Sequence, residues 1–171
     1  MENALEIAGL CKSYPGFALE DISFAVPRGS VMGLIGENGA GKTTTIKAVL
    51  DLIRPDSGEV RILGRAHTDS RVRAHIGVVL EDGGYPYAMT APQVSVLLGK
   101  AYPKWDAERF AAYCAHFGLA EEKPYKAYSK GMKMKLSLAA ALSHEAELLI
   151  LDEPTSGLDP VVRDEVLELL Y

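Results

Sequence analysis

Cysteine is scarce in this chain of 171 residues: Cys11 and Cys114 stand far apart, and neither has a His or Cys nearby at metal-ligand spacing. That pattern speaks against a disulfide framework or a cysteine-based zinc site, and both are expected as reduced, partly buried thiols of a cytosolic protein. No uncharged apolar run approaches the roughly 20 residues that span a bilayer, so any membrane role has to come through a partner. The opening Met1-Glu2-Asn3-Ala4-Leu5-Glu6 lacks the positive start and apolar run of a secretory signal. Basic charge is in deficit as well. Lys and Arg number 18 against 23 Asp and Glu, a net charge of −5, which argues against broad nucleic-acid binding because a phosphate backbone is held by excess cation. Internal repeats, low-complexity tracts and flexible linkers are missing too. What is present is ordinary in bulk: 48% hydrophobic and 24% charged residues exclude disordered and collagen-like classes and suit one domain with a sizeable core.

The first third reads as short strands, Leu5 to Leu10, Ile22 to Val26 and Val60 to Leu63, bounded by turn formers such as Pro15-Gly16 and Asp56-Ser57-Gly58. Between them Val31-Met32-Gly33-Leu34-Ile35 is apolar throughout, as a buried parallel strand should be. Ile76 to Leu80 and Leu148 to Leu151 read as two more buried strands, and a helix is expected from about Thr43 to Leu52. From about 84 to 144 helical spacing takes over, with helices at Pro92 to Ala101, Asp106 to Phe117 and Gly131 to Ser143, the second started by an Asp106 cap. This is expected to be a helical insertion between core strands of an α/β fold.

Two motifs carry chemistry. Gly36-Glu37-Asn38-Gly39-Ala40-Gly41-Lys42-Thr43 fits G-x-x-x-x-G-K-[ST] after an apolar strand and at the start of a helix. Glycines let successive backbone N–H groups turn inward, and the helix N-terminus adds partial positive charge, so Gly36, Asn38, Gly39, Ala40 and Gly41 form a phosphate cradle. Lys42 is placed to reach the β- and γ-phosphates, Thr43 to put its hydroxyl on Mg²⁺, and Thr44 joins the nucleotide contacts. In Leu148-Leu149-Ile150-Leu151-Asp152-Glu153 two carboxylates end a buried strand, where open α/β sheets bind ligands. Asp152 is expected to hold Mg²⁺ through its water shell, and Glu153 to act as general base for the water attacking the γ-phosphate.

With Tyr128-Ser129-Lys130-Gly131-Met132 and Ser156-Gly157-Leu158-Asp159-Pro160 added, the chain resembles the nucleotide-binding subunits of ATP-binding cassette (ABC) transporters from about Leu5 to its end. The resemblance implies a P-loop NTPase with an N-terminal antiparallel β-subdomain, a parallel core sheet and a helical subdomain at about 84–144, all within one ATPase domain over 1–171. It implies ATP and Mg²⁺, with Tyr14 as the aromatic that stacks on adenine, although a half-buried sheet tyrosine remains the alternative. Ser129 and Gly131 resemble the signature motif, whose helix N-terminus faces the γ-phosphate held by an opposite subunit, and Asp159 belongs to a D-loop lining the dimer seam. The partners so implied are a second ATPase copy or a related ATPase sandwiching ATP, and an integral membrane transporter subunit. The location implied is the cytoplasmic face of the membrane.

Two departures from the family pattern matter. Glu81 stands where a glutamine is usual; it still suits Mg²⁺ coordination or orientation of the attacking water, so Glu81 joins Lys42 and Glu153 as a catalytic candidate and Thr43 and Asp152 as a metal candidate. Lys130 and Met132 replace the usual Gly and Gln of the signature, and Lys130 either adds charge near a partner's ATP or belongs to a solvated basic face with Lys123, Lys126, Lys133 and Lys135. These features are similar to bacterial ABC-2-type exporter ATPases, in which Tyr85, Pro86, Tyr87 and Met89 would be docking candidates for the membrane subunit, with a plain core-and-loop role as the alternative. None of His67, His75, His116 and His144 follows the D-loop, so the family's switch histidine has no counterpart and a C-terminally truncated cassette is expected. The four histidines are read as surface or helix residues. Alternatives kept open are a soluble ABC-type module acting on nucleic acid or the ribosome, and a hydrolysis-deficient nucleotide-binding fragment.

Overall fold

The computed structural model describes residues 2–80, 84–154, 160, 163, 164 and 168. The chain divides into two compact units, Met1–Arg73 and Ala74–Tyr171. Among the described residues no helix is long and apolar enough to cross a membrane.

The first unit is built on strands whose alternate residues turn inward. Along β1 (Asn3–Tyr14), Leu5, Ile7 and Leu10 are buried. β1 pairs antiparallel with β2 (Phe17–Pro27) on one side and β3 (Ser57–Ile62) on the other, and β4 (Arg65–Ala66) extends the sheet to the order β2-β1-β3-β4. The β1 ladders shift register between Ile7 and Leu10 and again between Ala8 and Cys11, where the chain carries a left-handed Gly9. Gly58 is obligatory beside this irregularity: at φ 97° it lies so close to Gly9 that a Cβ would sit 2.5 Å from the Gly9 carbonyl oxygen. Helix α1 (Lys42–Val49) buries Thr45, Ala48 and Val49.

β1 and β2 run well beyond the short strands read from composition. Their extra residues include polar ones such as Lys12, Ser13 and Glu20, and the cross-strand ladder rather than apolar character keeps them extended. The expected strand at Val31 to Ile35 is not formed. These residues are exposed, Val31 to 78% and Ile35 to 95%, and no described strand pairs with them. An apolar run becomes a buried parallel strand only with neighbours to hydrogen-bond and cover it.

In the second unit β5 (Ile76–Val79) and β6 (Leu148–Leu151) pair in parallel, Ile76 opposite Leu148 and Val79 opposite Leu151. The core joins Val79 to Val94 of α2 (Ala91–Ala101), Phe110 and Cys114 of α3 (Ala107–His116) and Leu136 and Leu138 of α4 (Lys130–Ala141). Burial pushes the Cys114 thiol up to about 12, and Cys11 is half-buried. Asp106 caps α3 as its sequence suggests, accepting from the Arg109 N–H at 2.8 Å. α4 stops at Ala141 instead of reaching Ser143, where a tighter turn sends the Ser143 N–H to Ala140 O and its hydroxyl to Ala139 O.

His144 is a correction to the reading of surface or helix histidines. It is 2% exposed, its Nδ1 lies 3.1 Å from Ala140 O and its Nε2 3.1 Å from Ile76 O, and its ring stacks on Tyr102 at 4.0 Å. The imidazole packs between the end of α4 and the start of β5, and a neutral ring donates to one of the two carbonyls.

Candidate nucleotide site

Gly36 to Ala40 form an exposed loop closed by an Ala40 N–H bond to Glu37 O. Gly41 turns the chain into α1 with φ 94° and ψ 10°, a left-handed conformation that a side chain would resist. No side chain caps this helix and its first turn holds no acid, so its partial positive charge is uncompensated by a carboxylate there. The Lys42 ammonium folds back over the loop, donating to Gly36 O at 2.7 Å and Glu37 O at 3.0 Å. Thr43 is exposed and Thr44 half-buried in the first turn of α1. Thr45, which motif reading passes over, is buried and donates its hydroxyl to Gly41 O at 3.0 Å, bracing the turn from the helix side. A hydroxyl four residues past the turning glycine was the only sequence signal for it.

Tyr14 ends β1 directly opposite Phe17 across the Pro15-Gly16 turn and is 44% exposed. Lys12 lies over that ring at 5.4 Å while paired with Asp56 at 2.8 Å, and Asp56 also accepts from the Ser13 N–H. The lysine and backbone bonds hold the Asp56 carboxyl below the usual carboxylate range. Tyr14 is thus a part-exposed residue on a braced strand end, with Lys12 over its ring.

In the second unit, Asp152 follows β6 and is buried, its N–H donating to Val79 O. Glu153 beside it is exposed and has φ 48°, an uncommon conformation for a residue with a side chain. Ser129 caps α4, accepting from the Met132 N–H at 3.2 Å, and Gly131 lies in that helix's first turn. The basic face resolves into specific contacts: Lys133 lies over the Tyr125 ring at 5.0 Å and the Tyr87 ring at 5.8 Å, and Lys135 over Phe117 at 5.8 Å. Of the four docking candidates, Pro86 and Tyr87 are exposed, whereas Tyr85 and Met89 pack against the core, and burial raises the Tyr85 phenol. Glu81 and Asp159 lie outside the described residues.

The sequence profile of the ABC transporter family matches residues 19–156. The chain is 38% identical to the daunorubicin/doxorubicin resistance ATP-binding protein DrrA of Streptomyces peucetius, over 98% of this chain and 53% of that protein. It is 36% identical to the bacitracin transport ATP-binding protein BcrA of Enterococcus faecalis, over 99% of this chain and 57% of that one. The chain thus spans about half the length of the curated relatives it matches. A solved ATP-binding subunit of an ABC transporter superposes with a TM-score of 0.86 at 33% identity, covering 98% of this chain and 73% of that one. CbiO1 from Clostridium perfringens, part of the ABC transporter complex cbiONQ, gives 0.75 at 28% identity, covering 99% and 73%. With its antiparallel sheet, its parallel strand pair and its glycine loop at the head of a helix, this chain belongs to the ABC transporter family of P-loop ATPases.

Proposed function

We propose that this chain binds ATP and hydrolyses it to ADP and phosphate, powering transport of a substrate through a partner integral membrane subunit. The observation that carries the reading is the loop at Gly36 to Lys42: an exposed glycine turn, an uncapped helix start and an ammonium held among the loop's own carbonyls. On binding, Lys42 exchanges those neutral carbonyl acceptors for anionic phosphate oxygens, which add Coulombic attraction to the hydrogen bond. Gly36, Asn38, Gly39, Ala40, Gly41 and Thr44 frame the phosphates and Tyr14 stacks on adenine.

Glu153 takes the role of general base. Its carboxylate accepts a proton from water as the water oxygen bonds to the γ-phosphorus and the bond to the ADP oxygen breaks. Thr43, Asp152 and Glu81 are assigned to Mg²⁺ by their chemistry, since a hydroxyl and carboxylates are the hard oxygen donors that suit this ion. When bound, Mg²⁺ offsets negative charge on the phosphates. Ser129, Gly131 and Asp159 serve a second copy, or a related ATPase, across an ATP-sandwiched dimer. The reading makes the chain one ATPase domain with a helical subdomain at about 84–144, working at the cytoplasmic face of the membrane. Relatives named for drug resistance and bacitracin transport support an exporter of the ABC-2 type.

Mg²⁺-dependent phosphate release and ATP affinity test it on Lys42→Ala and Glu153→Gln. Lys42→Ala is expected to weaken ATP binding about tenfold or more. Glu153→Gln is expected to keep ATP affinity while turnover falls about 10²- to 10⁴-fold. Unchanged turnover in both variants would overturn the assignment.

A further inference from the structure

A glycine-rich loop has more backbone freedom than any other segment of its length, so a loop that must present N–H groups in one arrangement needs bracing from outside. Thr45 braces Gly41 from the helix side, through its N–H at 2.8 Å and its hydroxyl at 3.0 Å to the glycine carbonyl. The opposite side is closed by β2. A Cβ built on Gly41 would lie 2.2 Å from Leu19 Cδ2, 3.3 Å from Leu19 Cγ and 2.9 Å from Phe17 Cζ, so these two side chains cover the glycine Cα with no spare room. Leu19 is 3% exposed, and Phe17 stands opposite Tyr14 at the hairpin turn.

We propose that Leu19 and Phe17 are positioning residues for phosphate binding: from β2 they clamp the Cα of Gly41 and hold the left-handed turn on which the loop's N–H arrangement depends. Neither touches a phosphate. They act through Gly41, and they make the β1–β2 hairpin, which also carries Tyr14, a support for both ends of the nucleotide. The inference rests on the reading of this loop as a nucleotide site, but the clamp itself is measurable without nucleotide.

The test compares Leu19→Ala with Leu10→Ala, a substitution at a fully buried β1 residue beside Gly58, and with the conservative Leu19→Met. Amide hydrogen exchange of the nucleotide-free chain is followed at Gly36 to Thr43, together with the unfolding midpoint and the Kd for ATP and for inorganic tripolyphosphate. Leu19→Ala is expected to speed exchange at Gly39 to Thr43 about tenfold and to raise both Kd values by a similar factor. Leu10→Ala should lower the unfolding midpoint comparably while leaving loop exchange and both Kd values near those of the original chain, and Leu19→Met should restore the loop. Equal loop exchange in Leu19→Ala and Leu10→Ala would overturn the clamp. Failure of the original chain to bind either ligand would instead overturn the proposed function, with the exchange comparison still deciding whether the clamp exists.

Discussion

Asp69 shows how much a single residue's surroundings can do at the surface. One guanidinium engages both of its oxygens, Arg71 Nε at 2.9 Å from Oδ1 and 3.0 Å from Oδ2 and a terminal nitrogen at 2.6 Å from Oδ2, while the Arg71 backbone N–H adds a bond at 3.0 Å. Those bonds, side chain first and backbone second, hold the Asp69 carboxyl down at about 2, below its ordinary 3.8. A carboxyl with a lowered value favours the folded state when ionised, so this contribution is complete above the unfolded value and disappears as pH falls through the folded one. An NMR titration of the Asp69 carboxyl is therefore expected to show a midpoint near 2, and Arg71→Ala is expected to move it upward. A low midpoint that survives Arg71→Ala would assign the shift elsewhere. The legible residues of the candidate site are those with a fixed address in a motif: Lys42, Thr43, Asp152 and Glu153 follow from glycine and apolar spacing alone. His144 was not legible, because its place is set by carbonyls at Ala140 and Ile76, and the second of these is brought near only by the fold. Leu19 was hidden for the same reason: in sequence it is one more apolar strand residue, and its closeness to Gly41 exists only once β2 packs on the loop.

Elements were legible where one local signal sufficed. β6 is the Leu148-Leu149-Ile150-Leu151 run between charged neighbours, and α3 begins where an Asp cap precedes helical spacing. Boundaries set by pairing were not: β1 and β2 continue through polar residues because each supplies the other's ladder, and α4 ends where Ser143 turns back on Ala139. Packing between elements adds a constraint that periodicity cannot express. Gly77 of β5 sits where a Cβ would meet Leu149 Cδ2 at 2.4 Å and Ala141 O at 2.8 Å, one neighbour on the paired strand and the other at the end of α4. Leu149 could shift its side chain, but the carbonyl belongs to the helix backbone. Gly77→Ala is expected to destabilise the chain by about 1–3 kcal/mol through overpacking, read as a lower denaturant midpoint. A midpoint unchanged from the original would mean that β5, β6 and α4 have slack that these distances deny.

For the molecule as a whole, the fold class followed from motif order, since a glycine loop, a signature and an acid-ended strand in that sequence belong to one architecture. The surface did not follow. An apolar run is read from sequence as core, yet Val31, Met32, Leu34 and Ile35 are 78%, 46%, 42% and 95% exposed and pair with no described strand. Apolar side chains gathered in one short uncharged segment invite intermolecular pairing, and natural edges are commonly protected by a charge, lysine above all. The net charge of −5 opposes association over long distances, but it is screened within about 8 Å at physiological ionic strength and does not protect a local patch. The chain is therefore expected to self-associate through this segment, with mean mass rising with concentration in sedimentation or light scattering. Val31→Lys places an ammonium at the most exposed position of the run outside the immediate neighbourhood of Gly36. It should lower the mean mass at equal concentration while leaving the far-ultraviolet circular dichroism unchanged. Raising the salt should increase association of the original chain, because screening removes the long-range repulsion and strengthens the apolar contact. Equal mass for Val31→Lys and the original chain across the concentration range would show that these exposed side chains do not govern association, and would direct attention to the exposed Val96 and Leu97 of α2 instead.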